Sequence, residues 1–241
     1  MPMEFRVQVI RAGVVFGIAF AAAAAVAATP PEPVQLRYAS PAAALVTQVH
    51  LPLGTQNYYV GSYNLQIQAP AASFQGYCVD PFQYASSSYL AYQKSTLSSF
   101  LAGSAQKLAD VTSLFNHAYA GTIGNATKAA GFQLALWEVF SDDRNLATGN
   151  VYKTSKTNAA VVTEAGGLLA SLSSATWTTA AANYDLTMFS NGQAQDFLVA
   201  APALGPSTTP VPEPESVALM LAGLGLLGFA TRKRRSPCPT A

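Results

Sequence analysis

The chemistry open to this chain of 241 residues starts with one sulfur atom. Of its two cysteines, Cys78 lies in Phe74-Gln75-Gly76-Tyr77-Cys78-Val79-Asp80 and Cys238 lies in the extreme C-terminal tail. A thiolate is the nucleophile, and an unperturbed thiol of pKa about 8.5 is only a few per cent ionised at neutral pH. Position must therefore supply much of the reactivity. A thiol held against a glutamine carboxamide can displace ammonia and leave an acyl thioester, an activated acyl group that needs no cofactor. A cysteine hydrolase with His117 or His50 as base is the enzymatic alternative. No glycine-rich oxyanion signature follows Cys78, and His117 falls within an ordinary amphipathic pattern, so the chain is read as a non-enzyme. The plainest role for a lone strand cysteine is that of a small buried hydrophobe.

Three glutamines bear on the thioester chemistry. Gln75 and Gln83 are close to Cys78 in sequence, but an extended strand points Gln75 to the opposite face and Pro81 intervenes before Gln83. Gln133 lies farther on, in Gly131-Phe132-Gln133-Leu134-Ala135-Leu136-Trp137-Glu138. Gln133 and Trp137 are four residues apart on a helix and share a face, so the indole can pack over the carboxamide. Water is the competitor, since it hydrolyses an exposed thioester to cysteine and glutamate. Tyr77, Phe132 and Trp137 are the right residue types to exclude it. Asp80, His117 and Glu138 are candidates to take a proton when an amine attacks, and the sequence does not choose among them. Asp142 and Asp143, with Asp80, could hold calcium, but Asp142-Asp143-Arg144-Asn145 reads more simply as a solvated turn, and no metal site is expected.

Composition narrows the setting. Half of the residues are hydrophobic and 10% are charged, well below the quarter usual for soluble domains. From Thr29 to Pro212 there are seven basic and nine acidic residues, a net charge of −2. A basic nucleic-acid footprint is thereby excluded. Two cysteines allow neither a disulfide scaffold nor a zinc site built from cysteine pairs. At the N-terminus, Arg6 and Arg11 precede an apolar run that ends in Ala25-Val26-Ala27-Ala28 before Pro30 and Pro31. This is the layout of a secretory signal peptide, assigned to residues 1–28 and implying Sec export and signal peptidase. Cys78 is then the single thiol of the exported domain, since Cys238 follows the basic C-terminal run and stays inside or is discarded.

The domain between the ends, residues 29–200, changes its hydrophobic period along its length. Leu45 to Leu51, Asn57 to Gln68 and Phe74 to Val79 read as strands, with Tyr59, Gly61, Tyr63, Leu65 and Ile67 on one face. Tyr89 to Leu101 reads as a helix. Gln106 to Tyr119 reads as another, with Leu108, Val111, Leu114, Phe115 and Ala118 on one side and Gly121 as its stop. Asn125 is a candidate N-cap for Lys128 to Phe140, and Thr154 to Leu172 supplies a further amphipathic helix. Tyr184 to Phe189 and Ala194 to Val199 return to strands, joined at Asn191-Gly192, a strong hairpin signal. The fold class expected is α+β, an antiparallel sheet or sandwich formed by N- and C-terminal strands with an inserted helical subdomain.

Two resemblances sharpen these readings. Aromatic-Cys78-Val79-Asp80, followed some fifty residues later by Gln133-x-Ala135-Leu136-Trp137, resembles the Cys-Gln thioester domains of bacterial surface adhesins. The resemblance implies a bond between Cys78 and Gln133, covering Leu45 to Val199. It departs from the Gram-positive form in carrying Phe132 where a threonine is common. At the other end, a linker over 201–212 leads into Val211-Pro212-Glu213-Pro214-Glu215, an apolar stretch from Val217 to Ala230, and Arg232-Lys233-Arg234-Arg235. Residues 211–235 resemble a PEP-CTERM sorting signal with a short membrane helix. That implies an exosortase-type membrane peptidase cutting near Pro212-Glu213-Pro214 in a Gram-negative bacterium that makes extracellular polysaccharide. The expected protein is transiently anchored in the inner membrane, then secreted or held at the cell surface or biofilm matrix. There its thioester captures amines or hydroxyls of a partner surface or polysaccharide. The alternative is a non-covalent structural or carbohydrate-binding matrix protein whose Cys-Gln pair stays unreacted.

Overall fold

A computed structural model describes residues 33–174, 177 and 183–203. The segments read as signal peptide and as sorting signal with its apolar stretch lie outside the described residues. Among the described residues, no helix is long and apolar enough to cross a membrane.

Strand β1 (Val34–Leu51) is followed by β2 (Gly54–Ile67) and β3 (Ala72–Cys78), and β4 (Leu90–Thr96) completes the first half. The helical insertion comes next: α1 (Leu97–Phe100), α2 (Ala105–Leu114), a π-helical turn at Phe115–Tyr119, α3 (Ala120–Thr122) and α4 (Ala126–Ser141). After the short β5 (Tyr152–Lys153) and α5 (Ala159–Leu172), the chain returns to the sheet as β6 (Tyr184–Ser190) and β7 (Phe197–Pro202). The strand order is β2-β3-β7-β6-β4-β1-β5, every pairing is antiparallel, and β1 also pairs with β2. The class is the expected α+β, with helices inserted between N- and C-terminal strands. The extra β1–β2 pairing makes six of the strands a closed ring of ladders, not two stacked sheets.

The length of β1 makes this closure possible. Its start pairs with β4 at Val34, Gln35 and Leu36, while most of its length pairs with β2 from Leu36↔Ile67 to Leu51↔Gly54. The β1–β2 register shifts between Pro41 and Ala44, opposite Gly61. Gly61 has φ +142°, and a Cβ there would lie 2.2 Å from the Ala43 carbonyl oxygen, so only glycine lets the strands touch at this bulge. Opposite this bulge the inward face of β2 changes phase at Gly61. Val60 is buried and Tyr59 is 54% exposed, so Tyr59 does not share the inward face expected for it with Tyr63 and Leu65.

The helix expected at Tyr89 to Leu101 is instead strand β4 with one turn of α1 after it. Tyr92 is fully buried, and Gln93 to Thr96 pair with Ser190 to Thr187 of β6. Partners about a hundred residues away decide this segment, and local periodicity does not contain them. The helix over Gln106 to Tyr119 is interrupted by the π turn, yet Val111, Leu114 and Phe115 are fully buried as its stripe requires. It also runs past Gly121 to Thr122. The last hairpin differs too. Residues 191–196 form a six-residue loop, because the Asn191 N–H donates to the Asp196 carboxylate (2.7 Å) and the Gln193 N–H donates to Asn191 Oδ1 (2.7 Å).

Helix α4 is the centre of the molecule. Asn125 caps it by accepting from the Lys128 N–H, as its residue type leads one to expect. All eleven residues from Ala129 to Val139 are buried, so α4 is enclosed on every side. Helix α5 approaches so closely that a Cβ on Gly131 would lie 2.5 Å from Glu164 Cβ and Cγ. Helix α4 also packs against β1, β2 and β3.

Candidate functional site

Cys78 ends β3, and the ladder with β2 stops one residue earlier, at Ser62↔Tyr77. On the other side, Cys78 lies opposite Phe197, and the Val79 N–H donates to the Asp196 carbonyl (3.0 Å). In an antiparallel ladder, hydrogen bonding alternates sides, so the N–H and C=O of Cys78 face the β2 side, where no strand residue remains. The Gln133 carboxamide occupies that place. The Cys78 N–H donates to Gln133 Oε1 (3.0 Å), and Gln133 Nε2 donates to the Cys78 carbonyl (2.6 Å). Gln133, 0% exposed, thus pairs with the main chain as a strand residue would.

Trp137, one turn along α4, donates its indole N–H to Cys78 Sγ (3.3 Å), and the thiol donates to the Asp80 carbonyl (3.3 Å). One more turn along, the Ser141 hydroxyl donates to the Val79 carbonyl (2.8 Å). Gln133, Trp137 and Ser141 repeat at i, i+4 and i+8, so one edge of α4 holds residues 78–79. From the sheet side, Gln195 Nε2 donates to the Asp80 carbonyl (3.3 Å), and the Tyr92 hydroxyl donates to the Gln195 carbonyl (3.2 Å).

Burial pushes the Cys78 thiol well above its ordinary range, and the charges of Asp80 and Asp196 push the same way against the lowering effect of the Trp137 and Asp80 hydrogen bonds. The sulfur is therefore a neutral thiol at neutral pH. Burial and the neighbouring Asp80 raise Asp196 from 3.8 to about 6, opposed by the Asn191 N–H.

The aromatic residues named from sequence all lie in the buried core, Trp137 on the Cys78 sulfur and Tyr77 against Phe132. Tyr77, Phe132 and Trp137 are each at most 1% exposed. The Tyr77 and Phe132 rings lie 4.7 Å apart, and Phe115, which the sequence did not nominate for the site, packs edge-on against both. A cleft of about 190 Å³ has Tyr38, Tyr58, Tyr63, Tyr84, Gln83 and Trp137 in its lining, and neither Cys78 nor Gln133.

The three candidate bases are placed differently from one another. Asp80 touches the sulfur through its main-chain carbonyl, while its carboxylate accepts from the Phe82 N–H and Gln83 Nε2. His117 is exposed and stacks on Trp177 (4.7 Å), in a separate cleft of about 380 Å³ whose lining includes Asp110 and none of the groups that bond to Cys78. His50 stacks on Tyr152 and bonds to Thr55. Glu138 is fully buried beside Asp142 and Asp143, and burial followed by the Asp142 charge raises its carboxyl to about 8. Asp80 is not part of that acidic group, and the residue that stands with Asp142 and Asp143 is Glu138. Of the other glutamines, Gln75 is exposed and Gln83 bonds to Asp80. Ser141 and Gln195 were not nominated by the sequence. The spacing of Ser141 from Gln133 is a legible signal for the first, and nothing local marks the second.

Two solved structures are similar to this chain. The N-terminal domain of the Streptococcus pyogenes pilus tip adhesin Cpa has 16% identity and a TM-score of 0.41, covering 59% of this chain and 85% of its own. The N-terminal thioester domain of a surface protein from Clostridium perfringens, in a cysteine-to-alanine form, has 14% identity and a TM-score of 0.40, covering 58% of this chain and 88% of its own. No curated protein matches the chain. Residues 210–235 match the PEP-CTERM protein-sorting motif, which implies export, association with the cell surface of a Gram-negative bacterium, and processing by exosortase-type machinery.

Proposed function

We propose that this is an exported surface or matrix protein in which Cys78 and Gln133 join as an internal thioester that captures amines, or hydroxyls, on a partner. The observation that carries the reading is the reciprocal clamp of the Gln133 carboxamide on the main chain of Cys78. It fixes the electrophile beside the exported domain's single thiol. The Cys78 N–H on Oε1 also polarises the carbonyl and is placed to stabilise the oxyanion of the addition intermediate. In the first step, a bond from Sγ to the Gln133 carbonyl carbon replaces the bond from that carbon to Nε2, and the thiol proton leaves with the nitrogen as ammonia. In the second, a partner amine displaces Sγ, forming an amide on Gln133 and returning the proton to Cys78. The reaction happens once per molecule. Cys78 and Gln133 are both 0% exposed, so the nucleophile reaches the bond from the tyrosine-lined cleft only when Trp137, which lies between that cleft and the sulfur, moves aside.

A second reading is favoured by that same cleft: a non-covalent structural or carbohydrate-binding matrix protein. Its tyrosines suit sugar rings, and the Gln133 clamp is complete as a purely structural device. Intact mass of the exported domain separates the two. The thioester reading expects a mass one ammonia below that of the sequence, restored in full by Cys78→Ala and by Gln133→Ala. After incubation with a small primary amine, peptide mapping finds the adduct on Gln133 and a newly free Cys78 thiol. A wild-type domain of full mass, with a thiol that titrates once unfolded, sinks the thioester and leaves the non-covalent reading.

A further inference from the structure

The residue after Trp137 is Glu138, which faces a different set of neighbours. It is 0% exposed, its Oε2 accepts from the Asn145 N–H (3.0 Å), and its Oε1 is buried with no hydrogen-bond partner. Asp142 and Asp143 follow at the end of α4. One oxygen from each of the three carboxylates lies within 4.8 Å of the others. A buried carboxylate oxygen without a donor is costly, and two more carboxylates beside it add like-charge repulsion. The nearest cationic side chain in sequence, Arg144, pairs with Asp110 instead. Among the described residues, no lysine or arginine forms an ion pair with any of the three.

We infer that Glu138, Asp142 and Asp143 bind a calcium ion. The donors are all hard oxygens, the ligand class calcium takes. Calcium–oxygen distances of about 2.3–2.6 Å let oxygens across one ion stand up to about 4.6–5.2 Å apart, and the three oxygens lie within 4.8 Å of one another. Calcium also accepts the irregular geometry of a loop site, whereas magnesium demands a near-ideal octahedron. Exposure grades from buried Glu138 through half-buried Asp142 to exposed Asp143, so the ion enters from solvent past Asp143 and meets the unpartnered Glu138 oxygen at the closed end. The site lies where α4 gives way to the loop leading to β5. The Val151 N–H in that loop already donates to Asp142 Oδ2 (2.6 Å), so the bound ion ties the loop to the helix. A dissociation constant of about 10⁻⁴–10⁻³ M, the range of extracellular calcium modules, is expected.

The test uses the full chain, stripped with EDTA and titrated with CaCl2 or MgCl2, with thermal unfolding and calorimetric binding as readouts. The expected result is a saturable rise in Tm with calcium and a much weaker response to magnesium. Glu138→Gln and Asp142→Asn should each weaken calcium binding at least tenfold and remove the rise in Tm. Because Glu138 is buried and its variant can fail to fold, exposed Asp143→Asn is the second probe and should weaken binding in a domain of unchanged circular dichroism. Three results overturn the inference: no calcium-dependent rise in wild type, an equal response to magnesium, or an undiminished calcium response in folded Asp143→Asn and Asp142→Asn. Cys78→Ala should retain the calcium response, which keeps this test independent of the thioester.

Discussion

Helix α4 presents buried polar side chains to two different surroundings. On the edge formed by Gln133, Trp137 and Ser141, each polar group meets a partner at the end of β3: two main-chain groups and the sulfur of Cys78, then the carbonyl of Val79. At Glu138 and just past the helix end, three carboxylates gather and one buried oxygen has no donor. The two groups lie within the last turns of α4 and the start of the loop that follows. The matched edge is what a buried polar network requires when the protein alone must satisfy it. In the acidic group Asp142 and Asp143 accept from donors of the following loop, and Glu138 Oε1 alone is left without a partner. Satisfaction of buried polar groups, more than burial or residue type, distinguishes the clamp from the acidic group.

The strongest way to break the comparison is Gln133→Ala in a Cys78→Ala background, where no thioester can form. Loss of the side chain leaves the N–H and C=O of residue 78 buried without partners, at about 1–3 kcal/mol for each. A destabilisation of about 2–6 kcal/mol is expected from urea unfolding. A loss below about 1 kcal/mol would mean that water or a shift of β2 replaces the clamp, and the matched edge would lose its meaning.

Trp137→Phe is a finer probe, since it keeps a ring but removes the N–H on the sulfur together with part of the buried indole volume. The stability cost expected is about 1–4 kcal/mol, from the lost hydrogen bond and the cavity left behind. The Cys78 thiol, losing the hydrogen bond that lowers its pKa, should also ionise at higher pH. With the thioester reading, the fraction of molecules lacking one ammonia, followed by mass spectrometry during refolding, should grow more slowly in this variant than in wild type.

The smallest effect sharpens the contrast from the sheet side, at Asp196. Its carboxyl is raised from 3.8 to about 6 by burial and by Asp80, so the folded state holds a proton that the unfolded state has released. Stability from this group is fully present below pH 3.8 and is lost as pH rises through about 6. Asp196→Asn keeps an oxygen for the Asn191 N–H and removes the titration. Urea midpoints measured from pH 4 to 7 should fall less steeply in the variant, and parallel wild-type and variant profiles would count against the assignment.

Much of the site was legible because its residues carry chemistry wherever they stand. An unpaired cysteine and a Gln-x-x-x-Trp face with aromatic neighbours stand out by residue type, their pairing is what the resemblance to Cys-Gln thioester domains implies, and the structure hydrogen-bonds Gln133 to the main chain of Cys78 across 55 residues. His117 shows the limit. Its residue type suits a base, but its helix turns it toward Trp177, and a titratable residue type carries no direction in space. Strand β4 shows the same limit at the level of the fold, since Leu90 to Thr96 has no local property that outweighs its partners in β1 and β6.

By itself, the sequence determined the period of α4, its Asn125 cap, the order of strands, helices and strands, and the C-terminal sorting motif. These depend on contacts within a few residues or on a contiguous pattern, and short-range physics is written locally. Only the tertiary structure decided that β1 closes the ring with β2, that Gln133 stands in for a missing strand residue, and that Glu138 joins Asp142 and Asp143. Each of these depends on where a ladder ends or a helix edge docks, and that is fixed by packing the whole chain around α4.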